Sequence, residues 1–130
     1  MSDRINEYME WIEHRGIRLM HIDYRGLVGD AVVRQVRENG EAIIEIGMRG
    51  EKDQLRLVDV RDGFATQEIL AAFKEVGVAI TPYSRATAVV GLTGRQKRLL
   101  WIYNRLTGRG ARPFDDHDKA KDWLVKQAKR

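Results

Sequence analysis

Alternating apolar and polar positions open the chain. Glu7 to His14 leads into Arg15-Gly16 and then Ile17-Arg18-Leu19-Met20-His21-Ile22-Asp23-Tyr24, which reads as two strands joined by a tight glycine turn, with Ile17, Leu19 and His21 on one face. A helix from Ile5 to His14 is the competing reading of the first segment, and the glycine turn favours the hairpin. From about Gly29 the period changes: Val32, Val33, Val36, Ile43 and Ile44 recur at helical spacing, with Gly40 as the place for a bend. Leu55-Arg56-Leu57-Val58-Asp59-Val60, bounded by Asp62-Gly63, suits a central strand. Ile69, Leu70, Phe73 and Val76 mark one side of a second helix, with Thr66 or its neighbour as N-cap. After Pro82, Ala86-Thr87-Ala88-Val89-Val90 predicts a buried strand. Gly91 to Gly94 then turns into a helix holding Leu99, Leu100, Ile102, Tyr103 and Leu106, which Gly108 and Gly110 end. A short strand at Arg112-Pro113-Phe114 precedes Asp115-Asp116, which can cap a last helix bearing Ala120, Trp123 and Leu124.

The predicted order is β-β-α-β-α-β-α-β-α. Strands alternating with helices require a mostly parallel sheet covered by about four helices, with the hairpin as an antiparallel edge, giving a mixed α/β fold. No repeat or linker divides the chain, so residues 1–130 are expected to form one domain. At 130 residues such a domain buries about two-thirds of its unfolded surface and needs no covalent staples. The absence of cysteine removes disulfides, thiolate metal sites and cysteine nucleophiles, and fits a reducing compartment. Met1 to Glu7 has no apolar segment, and no long uncharged apolar run follows. The expectation is a soluble, cytoplasmic protein without a membrane span.

Charge is uneven. The net +4 is modest, but no acidic residue lies between Glu75 and Asp115, a stretch containing Arg85, Arg95, Lys97, Arg98, Arg105, Arg109 and Arg112. The strand-loop-helix segment around Gly91, Thr93, Gly94, Arg95, Lys97 and Arg98 is a candidate anion site, because a helix N-terminus presents free N–H groups and a favourable dipole. It matches neither the P-loop nor the dinucleotide fingerprint, and turn glycines followed by a solvated basic face are the simpler explanation. Arg95, Arg98, Ile102 and Arg105 fall together on a helical wheel beside the stripe Leu99, Tyr103, Leu106. Trp101 lies either in the core, as Trp123 does, or outside, where with Arg98 and Arg105 it would anchor a partner. Asp59 and Asp62 flank a strand end. With Asp23 they can cluster at the carboxyl edge of the sheet, where open α/β folds bind ligands, and three carboxylates there could hold a divalent cation. Turn and capping roles are the simpler explanation. His14, His21 and His117 have no metal-type spacing, and no nucleophile motif is present. Neither a catalytic residue nor a metal or cofactor is expected.

Several segments together carry a family resemblance: Ile22-Asp23-Tyr24-Arg25-Gly26, Leu57-Val58-Asp59-Val60, Ala88-Val89-Val90-Gly91-Leu92-Thr93-Gly94, and Phe114-Asp115-Asp116 before Ala120-Lys121-Asp122-Trp123-Leu124. In this order and spacing the chain resembles the SpoIIAA-like group of STAS and CRAL-TRIO-type domains, many of them uncharacterised bacterial proteins. The resemblance covers nearly the whole length and implies a STAS-like fold acting by binding. Anti-sigma-factor antagonists of this fold bind a kinase and are switched on a serine just after the central strand. The corresponding Asp59 to Thr66 contains no serine, and Thr66 is its only hydroxyl. The primary expectation is therefore a non-enzymatic regulatory or scaffolding module that binds a protein partner. The alternative, suggested by the CRAL-TRIO likeness, is a carrier of a lipid or small apolar or anionic molecule, requiring an apolar pocket of about 300 Å³ or more. RNA binding through the basic stretch is the least favoured reading, since a net charge this modest usually reflects solvated lysines and arginines, and a homodimer through an edge strand or helix stays open.

Overall fold

In the computed structural model, which describes residues 3–61, 66–107 and 110–129, six strands form one sheet in chain order. They are β1 (Arg4–Asn6), β2 (Met9–His14), β3 (Ile17–Asp23), β4 (Gln54–Asp59), β5 (Ser84–Val90) and β6 (Ala111–Phe114). The helices are α1 (Asp30–Met48), α2 (Gln67–Ile80), α3 (Gly94–Thr107) and α4 (His117–Ala128), with a short 3₁₀ turn at Thr81–Tyr83. Pairings β1·β2 and β2·β3 are antiparallel, and β3 to β6 are parallel. The hairpin turn lies at Arg15 (φ 53°) and Gly16 (φ 78°), as Arg15-Gly16 predicts.

This order decides where the helices go. Each crossover from β3 onward steps one strand in the same direction, and right-handed crossovers then place α1, α2 and α3 on a single face. Met20, Ile22, Val58 and Val89 pack there with Val36, Ile43, Ile69 and Ala72. The opposite face, with Leu19, Leu57, Ala88 and Val90, is met by Ala120 and Leu124 of α4. Strand alternation follows suit: Ile17, Leu19 and His21 share the α4 side.

The predicted caps form. Thr66 Oγ1 accepts from the Ile69 N–H at 3.1 Å, and an Asp116 carboxylate oxygen accepts from the Asp118 N–H at 2.8 Å. Two features go beyond the sequence pattern. Strand β1 adds a third antiparallel strand; its Asn6 Nδ2 donates to Asn39 Oδ1 (3.0 Å), and Asn39 Nδ2 donates to the Tyr24 hydroxyl (3.1 Å), a buried polar link between edge strand and α1. Helix α1 runs unbroken through Gly40, because that glycine marks a close approach rather than a bend: a Cβ there would lie 2.8 Å from Val76 Cγ1 on α2. Among the described residues no helix is long and apolar enough to cross a membrane.

Candidate functional site

Two neighbouring parallel strands end in the same three-residue pattern, Asp-x-Arg. Asp23 and Asp59 are paired in register at the carboxyl ends of β3 and β4. Each carboxylate accepts from the backbone N–H two residues on, at 2.9 Å from Arg25 and 3.0 Å from Arg61. Each is also gripped by that arginine's side chain, Arg25 Nη2 at 2.8 Å from Asp23 Oδ2 and Arg61 Nη2 at 2.8 Å from Asp59 Oδ2. The turn role and the clustering at the sheet edge are thus both realised for these two carboxylates. Asp62, the third expected member, lies outside the described residues.

Burial separates the twins. Asp23 is 30% exposed at its side chain and Asp59 is 0% exposed. Asp59 also sits 3.4 Å from Arg25 Nε and 3.0 Å from His117 Nε2, the first residue of α4. Burial alone would raise the Asp59 carboxyl, but the Arg61 side-chain and backbone hydrogen bonds, with the charges of Arg61 and His117, hold it below the usual carboxylate range. Asp23 is lowered chiefly by the Arg25 side chain, against a smaller desolvation effect. His21 joins from β3, its ring 6.4 Å from that of His117. Desolvation pushes its pKa down, against the charges of Asp23, Glu10 and Asp59. Sequence spacing did not reveal this meeting of two histidines. The available signal was His21 on the face shared with Asp23, plus a histidine directly after the cap of the returning helix.

A second feature occupies the other face. Between the sheet and helices α1, α2 and α3 lies a cavity of about 370 Å³, with Ile22, Val58 and Val89 as its floor and Val36, Phe73 and Leu100 among its walls. Arg56 of β4 also lines it; this side chain is 2% exposed, with Nε and Nη2 donating to Gln54 Oε1 (3.1 and 2.8 Å) and Nη1 to Ser84 Oγ. A charged residue inside a buried central strand was the sequence signal for this position.

The Gly91–Arg98 segment is placed by local structure. Gly91 adopts φ 100°, and a Cβ there would fall 2.8 Å from Arg61 Cα, so the strand end can approach the Asp59-Val60-Arg61 turn only as glycine. The N–H of Thr93 donates to Gln96 Oε1 at 2.9 Å, half of a capping box. Gly94 and Arg95 begin α3, both exposed, and Lys97 Nζ pairs with Asp115 at 3.2 Å. Arg98 is exposed. Trp101 stands outside the core, 60% exposed beside Ile102 at 44%, with the Arg105 guanidinium 5.0 Å from the Trp101 ring centre. The Tyr103 and Leu106 side chains lie outside the described residues. In the segment after the central strand, residues 62–65 are likewise outside, and Thr66 serves as the α2 cap.

No family model matches the sequence, and no curated protein does. A solved structure does match in fold: an uncharacterised protein of the DUF3478 family with a SpoIIAA-like fold, from Shewanella loihica PV-4. It is 18% identical, the match covers 89% of this chain and 91% of that one, and the TM-score is 0.66. With the mixed six-stranded sheet and four helices already described, this places the chain among proteins of the SpoIIAA-like α/β fold.

Proposed function

We propose that the chain is a non-catalytic binding domain that holds an apolar small molecule with an acidic end in the cavity beneath α1, α2 and α3. The cavity carries this reading: at about 370 Å³ it falls within the roughly 300–1,000 Å³ range of small-ligand sites, and it joins an apolar lining to a buried guanidinium, Arg56. A cation fixed by Gln54 and Ser84 suits a carboxylate or phosphate better than a neutral head. The edge carboxylates are poorly suited to act as general acids. Arginines engage both Asp23 and Asp59 and hold them below the usual carboxylate range, whereas a general acid is favoured by a pKa raised toward the working pH.

Displacement of a fluorescent naphthalene-sulfonate dye tests this. A long-chain carboxylic acid should compete better than the matching alcohol, and Val60→Phe, which adds bulk at the cavity wall, should weaken the acid at least about tenfold with the fold intact. Dye that neither compound displaces contradicts the proposal.

A second reading, partner docking on α3, is favoured by the exposed Trp101–Ile102 pair, since large exposed apolar side chains next to arginine are common interface anchors. It requires that Trp101→Ala abolish a stoichiometric protein complex, or split a homodimer, without altering dye binding.

A further inference from the structure

We propose that His21, Asp59 and His117 form a binding site for one divalent transition-metal ion of the zinc class. One ligand atom from each of these residues lies within 4.8 Å of the others, and the closest pair, Asp59 Oδ2 and His117 Nε2, is 3.0 Å apart. Tetrahedral zinc with bonds of about 2.0–2.1 Å needs ligand edges of roughly 3.3 Å. One edge is close to that length, and the two edges to His21, within 4.8 Å, must shorten by side-chain movement when the metal binds.

The second observation concerns His21. Its Nε2 is buried and has no hydrogen-bond partner among the described residues, an arrangement that is unfavourable unless something meets that nitrogen. On the other side of the ring, Glu10 Oε1 lies 3.7 Å from Nδ1. At that distance Glu10 is a charged neighbour rather than a hydrogen-bond partner, and its closing on Nδ1–H would leave the lone pair on Nε2, as in the carboxylate–histidine–metal arrangement of zinc proteins. Two imidazoles and a single carboxylate suit zinc or its neighbours in the transition series, not calcium or magnesium.

The surrounding charges permit a cation. Glu10, Asp23 and Asp59 all act on His21, and their three negative charges outnumber the two of Arg25 and Arg61 held on Asp23 and Asp59. Asp59 Oδ1 accepts from the Arg61 N–H and Nε, at 3.0 and 3.1 Å, while Oδ2, the oxygen beside His117, is also held by Arg61 Nη2 at 2.8 Å, so a metal on Oδ2 takes the place of that guanidinium contact and leaves Arg61 on Oδ1. The His117 ring exchanges its contact with Asp59 for the metal, releasing a proton if one was shared. Bound metal would tie the first residue of α4 to the ends of β3 and β4. This face of the sheet is opposite the cavity, so the two proposals stand or fall separately.

The test uses the full chain, stripped with EDTA and titrated with zinc against a chromophoric chelator, while the ring ¹⁵N shifts of the wild-type histidines are followed. The expected result is one zinc per chain, ring shifts at His21 and His117 but not at His14, and no response to magnesium. His21→Gln and His117→Gln should each weaken binding more than about 100-fold, and Glu10→Gln by roughly 10-fold, the low end of the outer-partner range. His14→Gln, whose ring pairs with Asp122 instead, should bind as wild type. Absence of stoichiometric zinc binding, or ring shifts centred on His14, overturns the proposal, and because the ring shifts are read on the wild type, a variant that fails to fold leaves this test standing.

Discussion

Substituting the two Asp-x-Arg carboxylates separately makes the sheet edge its own control. Asp59→Asn keeps the shape but replaces one oxygen with an N–H donor that meets an Arg61 donor whichever way the amide is turned, Nη2 at the Oδ2 position or the backbone N–H and Nε at the Oδ1 position. Removing one partner of a buried ion pair costs about 3–5 kcal/mol when the remaining charges stay dry. Here Arg25 and Arg61 are 46% and 43% exposed and can rehydrate, so the expected loss is about 2–4 kcal/mol. Asp23→Asn removes the same hydrogen bonds from a partly exposed position, where an ion pair contributes about 0–1 kcal/mol. Unfolding entropy near 2.1 cal/mol/K per residue over 130 residues gives about 0.27 kcal/mol/K, so 3 kcal/mol is about 11 °C in Tm. Urea and thermal unfolding at pH 7 in EDTA should therefore lower Tm by about 7–15 °C for Asp59→Asn and under about 4 °C for Asp23→Asn. Equal losses would refute the argument that burial, not the motif, sets the strength of the pair.

Three further outcomes follow from the same geometry. Gly91→Ala combines a positive φ with a Cβ 2.8 Å from the Arg61 backbone, and should cost more than about 1–3 kcal/mol in urea unfolding, against near neutrality for Gly94→Ala, which meets open space. In metal-free protein the fold lowers the His21 pKa, so its contribution is complete above the ordinary value of about 6.5 and is lost as pH falls through the lower folded value. Asp23 and Asp59, lowered as well, add a second loss below about pH 4. Urea midpoints between pH 8 and 3 should fall in both steps, and His21→Gln should remove the first; a midpoint that rises on acidification contradicts the sign. Asn39→Leu leaves Asn6 and the Tyr24 hydroxyl without their shared partner, and should cost about 1–3 kcal/mol with the loss seen first as faster amide exchange in β1.

Much of this molecule was legible from local pattern because its elements carry local signals. Arg15-Gly16 marked the hairpin, Thr66 and Asp116 the caps, and the apolar run at Leu55–Val60 the central strand. Asp23 and Asp59 each stood at a predicted strand end, so a meeting at the carboxyl edge of the sheet could be considered beside the simpler turn roles, and their register pairing supplies it. What escaped has no local signature. Strand β1 is three residues long, too short for any periodicity, and is fixed by pairing with Met9–Glu10 and by the Asn39 link. His21 and His117 are far apart in sequence and meet only because α4 returns across the face opposite the other helices. Gly40 resembled the site of a bend in one long helix, and what it provides is room for Val76, a contact that only the packing of α2 on α1 creates. Whether Trp101 faced in or out depended on which side of α3 is turned to the sheet, which tertiary packing decides.

The most direct test of the central proposal is native mass spectrometry on the protein taken gently from its source cells. An added mass of a few hundred daltons, released on acid denaturation, ionising as an acid and lost in Val60→Phe, is the predicted result. A chain carrying no small molecule, or one carrying it equally well with the cavity filled, would contradict the assignment of the space beneath α1, α2 and α3 as the binding site.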